Sequence, residues 1–325
     1  MKRFAIVLLA TLGCGQPQGS MLDGGVDGGG GGDGATGDGT EGTADAPIDG
    51  PPIASCPVDT WCIESAPIAP TLLSAVHAVS ANDVFAVGNG GTILRRQNGS
   101  WSAMASGTTE NLRGVWGASS SDVWAVGAAG TVLRFNGIAW SPVSGVLDID
   151  YTAVSGSSAT DVWIVGTSRF QRWNGTSWSV QSIAGTLLAV SGTAPNNIWI
   201  GTESVYLKRY ASSWTTVMPG GGTDFYAVKA LSATNVWAST PGAGTVHYNG
   251  STWAQVATPG AVFVGFHALS ATDIWGVSQA KTGHWNGTAW TITQPAAVTS
   301  SLWGISGAGA DVWAVGSDSM IVHRH

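Results

Sequence analysis

Side chains able to carry out acid–base or ligand chemistry are sparse in this chain, and their placement limits the chemistry open to it. In 325 residues, Lys and Arg number 13, Asp and Glu 20 and His 6, for a formal net charge of −7. Neutralising phosphates requires clustered Lys and Arg, so this balance excludes nucleic-acid binding through a basic patch. Hydrolysing a glycosidic bond requires a convergent pair of carboxylates, yet Glu203 is the only Glu after Glu110. The arginines beyond the first residues are Arg95, Arg96, Arg113, Arg134, Arg169, Arg172, Arg209 and Arg324, and most fall beside a recurring turn. No catalytic set and no cofactor motif is expected. His77 and His267 each stand six residues before a recurring Asp, but Trp116, Ser155, Ser191 and Lys229 hold that position in between. The two are read as unrelated, partly buried histidines. His247 and His284 are read as packing or surface residues and His323 and His325 as solvated, so no metal site is expected. The residues left for recognition lie in variable loops: Arg113, Asp148, Asp150, Glu203, Asp224, Lys281 and Asp318. Loops carried by a rigid scaffold are where binding tends to reside.

The elements that must position these loops begin after an unusual N-terminal segment. Lys2-Arg3 precedes an apolar run, Phe4 to Leu12. That run is too short for a bilayer span of about 20 residues but suits a signal-peptide core. It ends in Thr11-Leu12-Gly13-Cys14, which resembles a bacterial lipobox. Residues 1–14 are therefore read as a signal peptide with Cys14 as the lipidation site. The chain would be exported and lipid-anchored to the outer membrane or cell surface, with a soluble secreted form as the alternative. Residues 15–54, dominated by Gly, Asp, Thr, Ala and Pro, contain no aromatic residue. Such a segment cannot bury enough apolar surface to offset its ordering entropy and is read as a disordered linker. Cys56 and Cys62 remain as a pair, which an oxidising compartment would allow to form a disulfide.

Residues 55–325 repeat. The landmark Asp-Val-Trp-Ala-Val-Gly recurs with its aromatic at Phe85, Trp124, Trp163, Trp199, Trp237, Trp275 and Trp313, a period near 38. A second column holds Trp61, Trp101, Trp140, Trp178, Trp214, Trp253 and Trp290. The two columns absorb 13 of the 17 Trp, so most tryptophans mark a repeated packing position. Within a repeat, β-rich runs alternate with Ser/Asx turns and an Asn-Gly hairpin signal. The expected fold is all-β: a seven-bladed β-propeller of four-stranded blades. The last repeat stops at its third strand, while Trp61 stands alone near the start. The N-terminal strand is therefore expected to complete the last blade and close the ring.

The segment Gly130-Thr131-Val132-Leu133-Arg134-Phe135-Asn136-Gly137-Ile138-Ala139-Trp140 resembles the Asp-box (BNR) hairpin of bacterial propellers, with Asn-Gly in place of the box Asp. Together with Trp124-Ala125-Val126-Gly127, the unit resembles YCF48-like repeats. The resemblance implies a propeller whose hairpins are structural. It also implies, as one alternative, an assembly factor for a membrane complex, since that group's known partner belongs to photosynthetic membranes. The leading expectation is a monomeric, non-catalytic propeller that binds a protein or glycan of the cell envelope through its loop face and meets the membrane only through its lipid. A glycan hydrolase or lyase with its site at the channel mouth is the other alternative. The sequons at Asn98, Asn174, Asn249 and Asn286 are read as hairpin turns that happen to precede Ser or Thr.

Overall fold

The computed structural model describes residues 57–220 and 222–325. Cys14, Cys56 and the linker at 15–54 lie outside the described residues. The rest is an all-β propeller. Repeat one supplies strands Leu73–Ser80, Asp83–Gly88, Ile93–Gln97 and Ser100–Met104, and repeat two supplies Leu112–Ser119, Asp122–Gly127, Val132–Phe135 and Trp140–Pro142. Each set forms an antiparallel sheet in chain order, as do the strands of repeats five and six. The first strands follow one another round a closed ring. Leu73–Ser80 packs on Leu112–Ser119, then come Tyr151–Ser158, Trp178–Ala194, Ala227–Ser232, Gly265–Ser270 and Leu302–Ala308, which returns to Leu73–Ser80.

The expectation of seven separate four-stranded blades is corrected: the described strands form six sheets, five of four strands and one of six. Repeats three and four are joined in the six-stranded sheet because two of its strands run through places where other repeats turn. In repeats one and seven, a 3-10 turn (Asn89–Gly91, Ser317–Ser319) links the second and third strands. In repeat three that link shrinks to a bend at Ser168, whose φ is 55°, so Asp161–Trp173 is one extended run. Arg172 in its second half reaches back to Asp161 in its first, Nε to Oδ1 2.6 Å. Likewise Trp178–Ala194 bends at Gly185 (φ 89°) where other repeats have a loop. Thr167 pairs with Thr186 across the two runs.

The six landmark residues are buried throughout in repeats one to four, as expected of a strand covered on both faces. Its aromatic is the packing unit. The fourth-strand Trp of one repeat meets the landmark aromatic of the preceding repeat edge-on: Trp124 with Trp178 at 5.7 Å, Trp199 with Trp253 at 5.8 Å and Trp237 with Trp290 at 5.7 Å between ring centroids. Such pairs contribute about 0.5–1.5 kcal/mol beyond area burial. The landmark Gly has a spatial reason. A Cβ on Gly127 would lie 2.1 Å from the Asn111 carbonyl oxygen, and one on Gly316 would lie 1.9 Å from that of Ser301.

The last sheet contains Leu302–Ala308, Asp311–Gly316 and Ile321–Arg324, and its fourth strand is the N-terminal Cys62–Ile63. Cys62 pairs with His323 and Ile63 with Val322. Trp61 packs edge-on against Trp275 of repeat six, 5.7 Å between centroids at 78°. It thus fills the place in repeat seven that a fourth-strand Trp fills elsewhere. Cys62 is disulfide-bonded. No helix among the described residues is long and apolar enough to cross a membrane.

Candidate binding face

The loops between second and third strands, and between fourth and next first strands, lie on one face. A depression of about 1090 Å³ lies over repeats five to seven, with Tyr226, Lys281, Trp303 and Asp318 on its lining. Tyr226 and Trp303 are 42% and 39% exposed, large values for aromatics in a fold that buries most of its tryptophans. Lys281 Nζ donates to the Gly260 carbonyl at 2.8 Å. Asp318 accepts from Ser300 Oγ at 2.9 Å, and the Trp303 indole N–H donates to Ser317 Oγ at 3.2 Å. Asp318 takes a positive φ of 57°, which Asp tolerates better than most residues. Burial raises the Tyr226 phenol above its ordinary value, and the nearby charges of Asp224 and Glu203 add to the rise. The rim around Tyr226 is therefore acidic.

The structure thus gathers Lys281 and Asp318 in one depression and sets Asp224 and Glu203 beside Tyr226. It leaves Arg113, Asp148 and Asp150 apart from them. Arg113 Nη2 donates to Asp150 Oδ2 at 3.1 Å, and the Ala129 N–H donates to Asp150 Oδ1 at 3.0 Å. The Ala129 hydrogen bond, against a smaller opposing effect of burial, and the Arg113 pairing hold the Asp150 carboxyl below its ordinary value. Asp148 lines the same turn, its Oδ1 3.1 Å from where a Cβ on Gly130 would stand. These residues brace a loop. Trp303 was missed at the sequence level, although a signal existed: it belongs to neither Trp column.

The other basic residues are spent on packing. In most repeats the third strand places a base against the landmark acid or amide and over the landmark aromatic. Arg95 Nε donates to Asp83 Oδ1 and Arg134 Nε to Asp122 Oδ1, both at 2.7 Å. Their guanidinium carbons sit 5.0 Å from the Phe85 centroid and 4.7 Å from that of Trp124. In repeats five to seven a His takes this place. His247, His284 and His323 stack on Trp237, Trp275 and Trp313 at 4.2, 4.1 and 4.4 Å. Their Nε2 atoms lie 2.9 Å from Asn235 Oδ1, 3.0 Å from Asp273 Oδ1 and 2.7 Å from Asp311 Oδ1. The expectation that His323 is solvated is therefore corrected; its side chain is 8% exposed. The hairpin asparagines are structural in the same sense: Asn136 Oδ1 accepts from the N–H groups of Ile138 and Ala139 at 2.9 and 3.0 Å.

On the innermost strands His77, Trp116, Ser155, Ser191, Lys229, His267 and Ser306 share one register, each opposite a landmark aromatic. They join neighbouring repeats. His77 Nε2 lies 3.1 Å from the Gly117 carbonyl, Ser306 Oγ accepts from Ala78 N–H at 3.0 Å, and Ser191 Oγ accepts from Ala230 N–H at 3.1 Å. Burial, with the Lys229 charge, pushes His77 down to about 4 despite its bond to Gly117. Burial, Lys229 and His77 push His267 down to about 3. Burial and the Lys229 charge thus act on both histidines.

A second polar cluster lies where the ring closes. Glu64, just past the N-terminal strand, accepts from Arg96 Nη2 at 3.0 Å and from the Trp101 indole N–H at 2.5 Å, and its Oε1 lies 3.0 Å from His323 Nδ1. Burial alone would raise this carboxyl. Hydrogen bonds from His323, Arg96 and Trp101, with the Arg96 charge, outweigh it and hold Glu64 at about 2, against an ordinary 4.5. Beyond His323, the cluster continues to Asp311 and His325. Their ligand atoms and that of His323 all lie within 4.8 Å of one another.

Comparisons with known proteins agree with the fold and leave the family open. No protein-family model matches the chain, and no curated protein matches it. A solved structure of YCF48 bound to D1 peptide is 13% identical over 83% of this chain and 98% of that one, with a TM-score of 0.68. The WD40 β-propeller domain of Doa1 is 12% identical over 81% of this chain and 96% of that one, with a TM-score of 0.70. Virginiamycin B lyase from Staphylococcus aureus is 14% identical over 81% of this chain and 98% of that one, with a TM-score of 0.66. At these identities the likeness establishes a shared propeller fold, including that of YCF48, and nothing about activity.

Proposed function

We propose that this propeller is a non-catalytic binding scaffold that takes an extended protein segment on its loop face, in the depression lined by Tyr226, Lys281, Trp303 and Asp318. One observation carries the reading: two half-exposed aromatics flank a depression whose charged side chains are already hydrogen-bonded to neighbouring loops. Exposed aromatics beside a few fixed polar groups suit peptide recognition, where Tyr and Trp supply most of the affinity. Acid–base catalysis would instead need titratable groups converging on one reacting atom. The solved YCF48 structure with a bound peptide supports a propeller of this shape holding a peptide. In the full proposal the chain is exported, lipid-anchored at Cys14 and held off the membrane by residues 15–54. As a flexible coil these would span roughly 35 Å. The partner is then a protein of the cell envelope.

Selection from a random peptide display library tests the reading. Binders are expected to lose about tenfold or more in affinity, about 1.4 kcal/mol, with Trp303→Ala or Tyr226→Ala. They should be indifferent to Ile138→Ala on the hairpin side. Binders that ignore both loop-face substitutions, or binding only by a panel of soluble glycans, would overturn it.

A further inference from the structure

The cluster at the ring closure repeats a motif seen elsewhere in the molecule, with one addition. In repeats five and six, His247 and His284 each lie against one side-chain oxygen, and the residue two further on is a hairpin Asn, Asn249 or Asn286. In repeat seven that position is His325, and the imidazole of His323 lies between two carboxylates. Its Nδ1 lies 3.0 Å from Glu64 Oε1 and its Nε2 2.7 Å from Asp311 Oδ1. A neutral imidazole carries a single N–H. An Nδ1–H donated to Glu64 Oε1 leaves Nε2 to ligate a metal beside Asp311 Oδ1. His325 Nδ1 approaches the same Asp311 oxygen to 3.8 Å.

From this geometry we infer that Asp311 Oδ1, His323 Nε2 and His325 Nδ1 form a site for a divalent transition metal of the zinc class. Two imidazoles and a carboxylate are a donor set that zinc, cobalt and nickel accept. With metal–ligand bonds near 2.0–2.1 Å, a tetrahedral site needs ligand atoms about 3.3 Å apart. The present separations of 2.7 and 3.8 Å bracket that value. The separation between the two histidine ligand atoms is within 4.8 Å, so closing the site asks for a movement of the His325 side chain of up to about 1.5 Å. A metal-bound His usually gives its other ring nitrogen to a carboxylate, which fixes the tautomer and the ring plane. Glu64 occupies that place, itself held by Arg96 and Trp101, while Trp313 stacks on the His323 ring at an interplanar angle of 6°. Three protein ligands leave a fourth position for water or for a ligand from another molecule. The site sits on the strand that pairs with Cys62–Ile63, so bound metal would strengthen the closure.

The test is zinc titration of the full chain, free of any polyhistidine tag and stripped with a chelator, followed by calorimetry and thermal unfolding. A visible spectrum with cobalt reports the coordination. Two variants copy other repeats and should fold: His325→Asn reproduces the hairpin residue of repeats five and six, and Asp311→Asn reproduces the amide of repeat five. One zinc per chain, a raised unfolding midpoint and a tetrahedral cobalt band are expected in the parent. Each variant should keep its chelator-state midpoint and lose about tenfold or more in affinity. No zinc binding by the parent, or equal binding by parent and both variants, would overturn the assignment.

Discussion

Repeats one to three and repeats five to seven solve the same local problem with different chemistry. In repeats one and two an Arg spans from the landmark Asp to the landmark aromatic, and in repeat three Arg172 pairs with Asp161; in the second group a His lies against the landmark Asp or Asn and stacks flat on the Trp. The position needs a flat, donor-bearing group that caps an otherwise bare ring face, and either residue supplies it. Exposure varies within each group: the Arg95 and Arg134 side chains are 13% and 39% exposed, those of His323 and His284 8% and 36%. At repeat seven the latch also gains Glu64 and Arg96 from the other end of the described chain. The same motif is thus surface decoration in one place and the fastening of the ring in another.

The strongest way to break that contrast is Glu64→Ala. It leaves the Arg96 guanidinium, 11% exposed as a side chain, without its carboxylate. Removing one partner of a buried pair costs about 3–5 kcal/mol, which denaturant unfolding should report. A loss no larger than that of Arg134→Ala would show that the two latches are equivalent.

Acid should act next, in two stages. His77 and His267 are held neutral, at about 4 and about 3 against an ordinary 6.5. Below pH 6.5 the unfolded chain therefore binds protons that the fold refuses, and stability falls as the pH drops. Glu64, at about 2 against 4.5, contributes stability that is present above pH 4.5 and is lost as the pH falls through about 2. His267→Gln should flatten the fall in unfolding midpoint between pH 6.5 and about 3 and leave in place the Glu64 contribution, lost between pH 4.5 and about 2. An unchanged profile would contradict the linkage.

Two smaller effects sharpen the comparison. Arg134→Ala should cost under about 1 kcal/mol, as exposed ion pairs do. Trp303→Ala should stay within about 0.5 kcal/mol of the parent in thermal unfolding, because Trp303 stands on the surface and leaves the wedge of paired aromatics intact.

What could be read in advance follows from periodicity. A packing position used once per repeat leaves a mark every 38 or so residues, which is why the landmark and fourth-strand aromatics stood out and Trp61 pointed to the closing strand. The number of sheets was not legible in this way. It turns on a link reduced to a bend at Ser168 and a loop replaced by a bend at Gly185, small changes that join repeats three and four. The 36-residue spacing between Trp163 and Trp199 was their only trace. The seam was hidden for another reason. Glu64, Arg96 and His323 meet through the closure of the ring, and no local pattern links positions so far apart. On the loop face, Lys281 and Asp318 were identified as candidates, yet only the fold shows that they share a depression with Trp303.

The central claim is that the loop face, and not the hairpin side, receives a protein partner. A photo-crosslinking amino acid placed in turn at positions 303 and 138 of the full chain, in its native host, tests it directly. The account predicts one discrete protein adduct from position 303, lost when Tyr226 is changed to Ala, and none from position 138. Adducts of equal yield from both positions, or from position 138 alone, would contradict it.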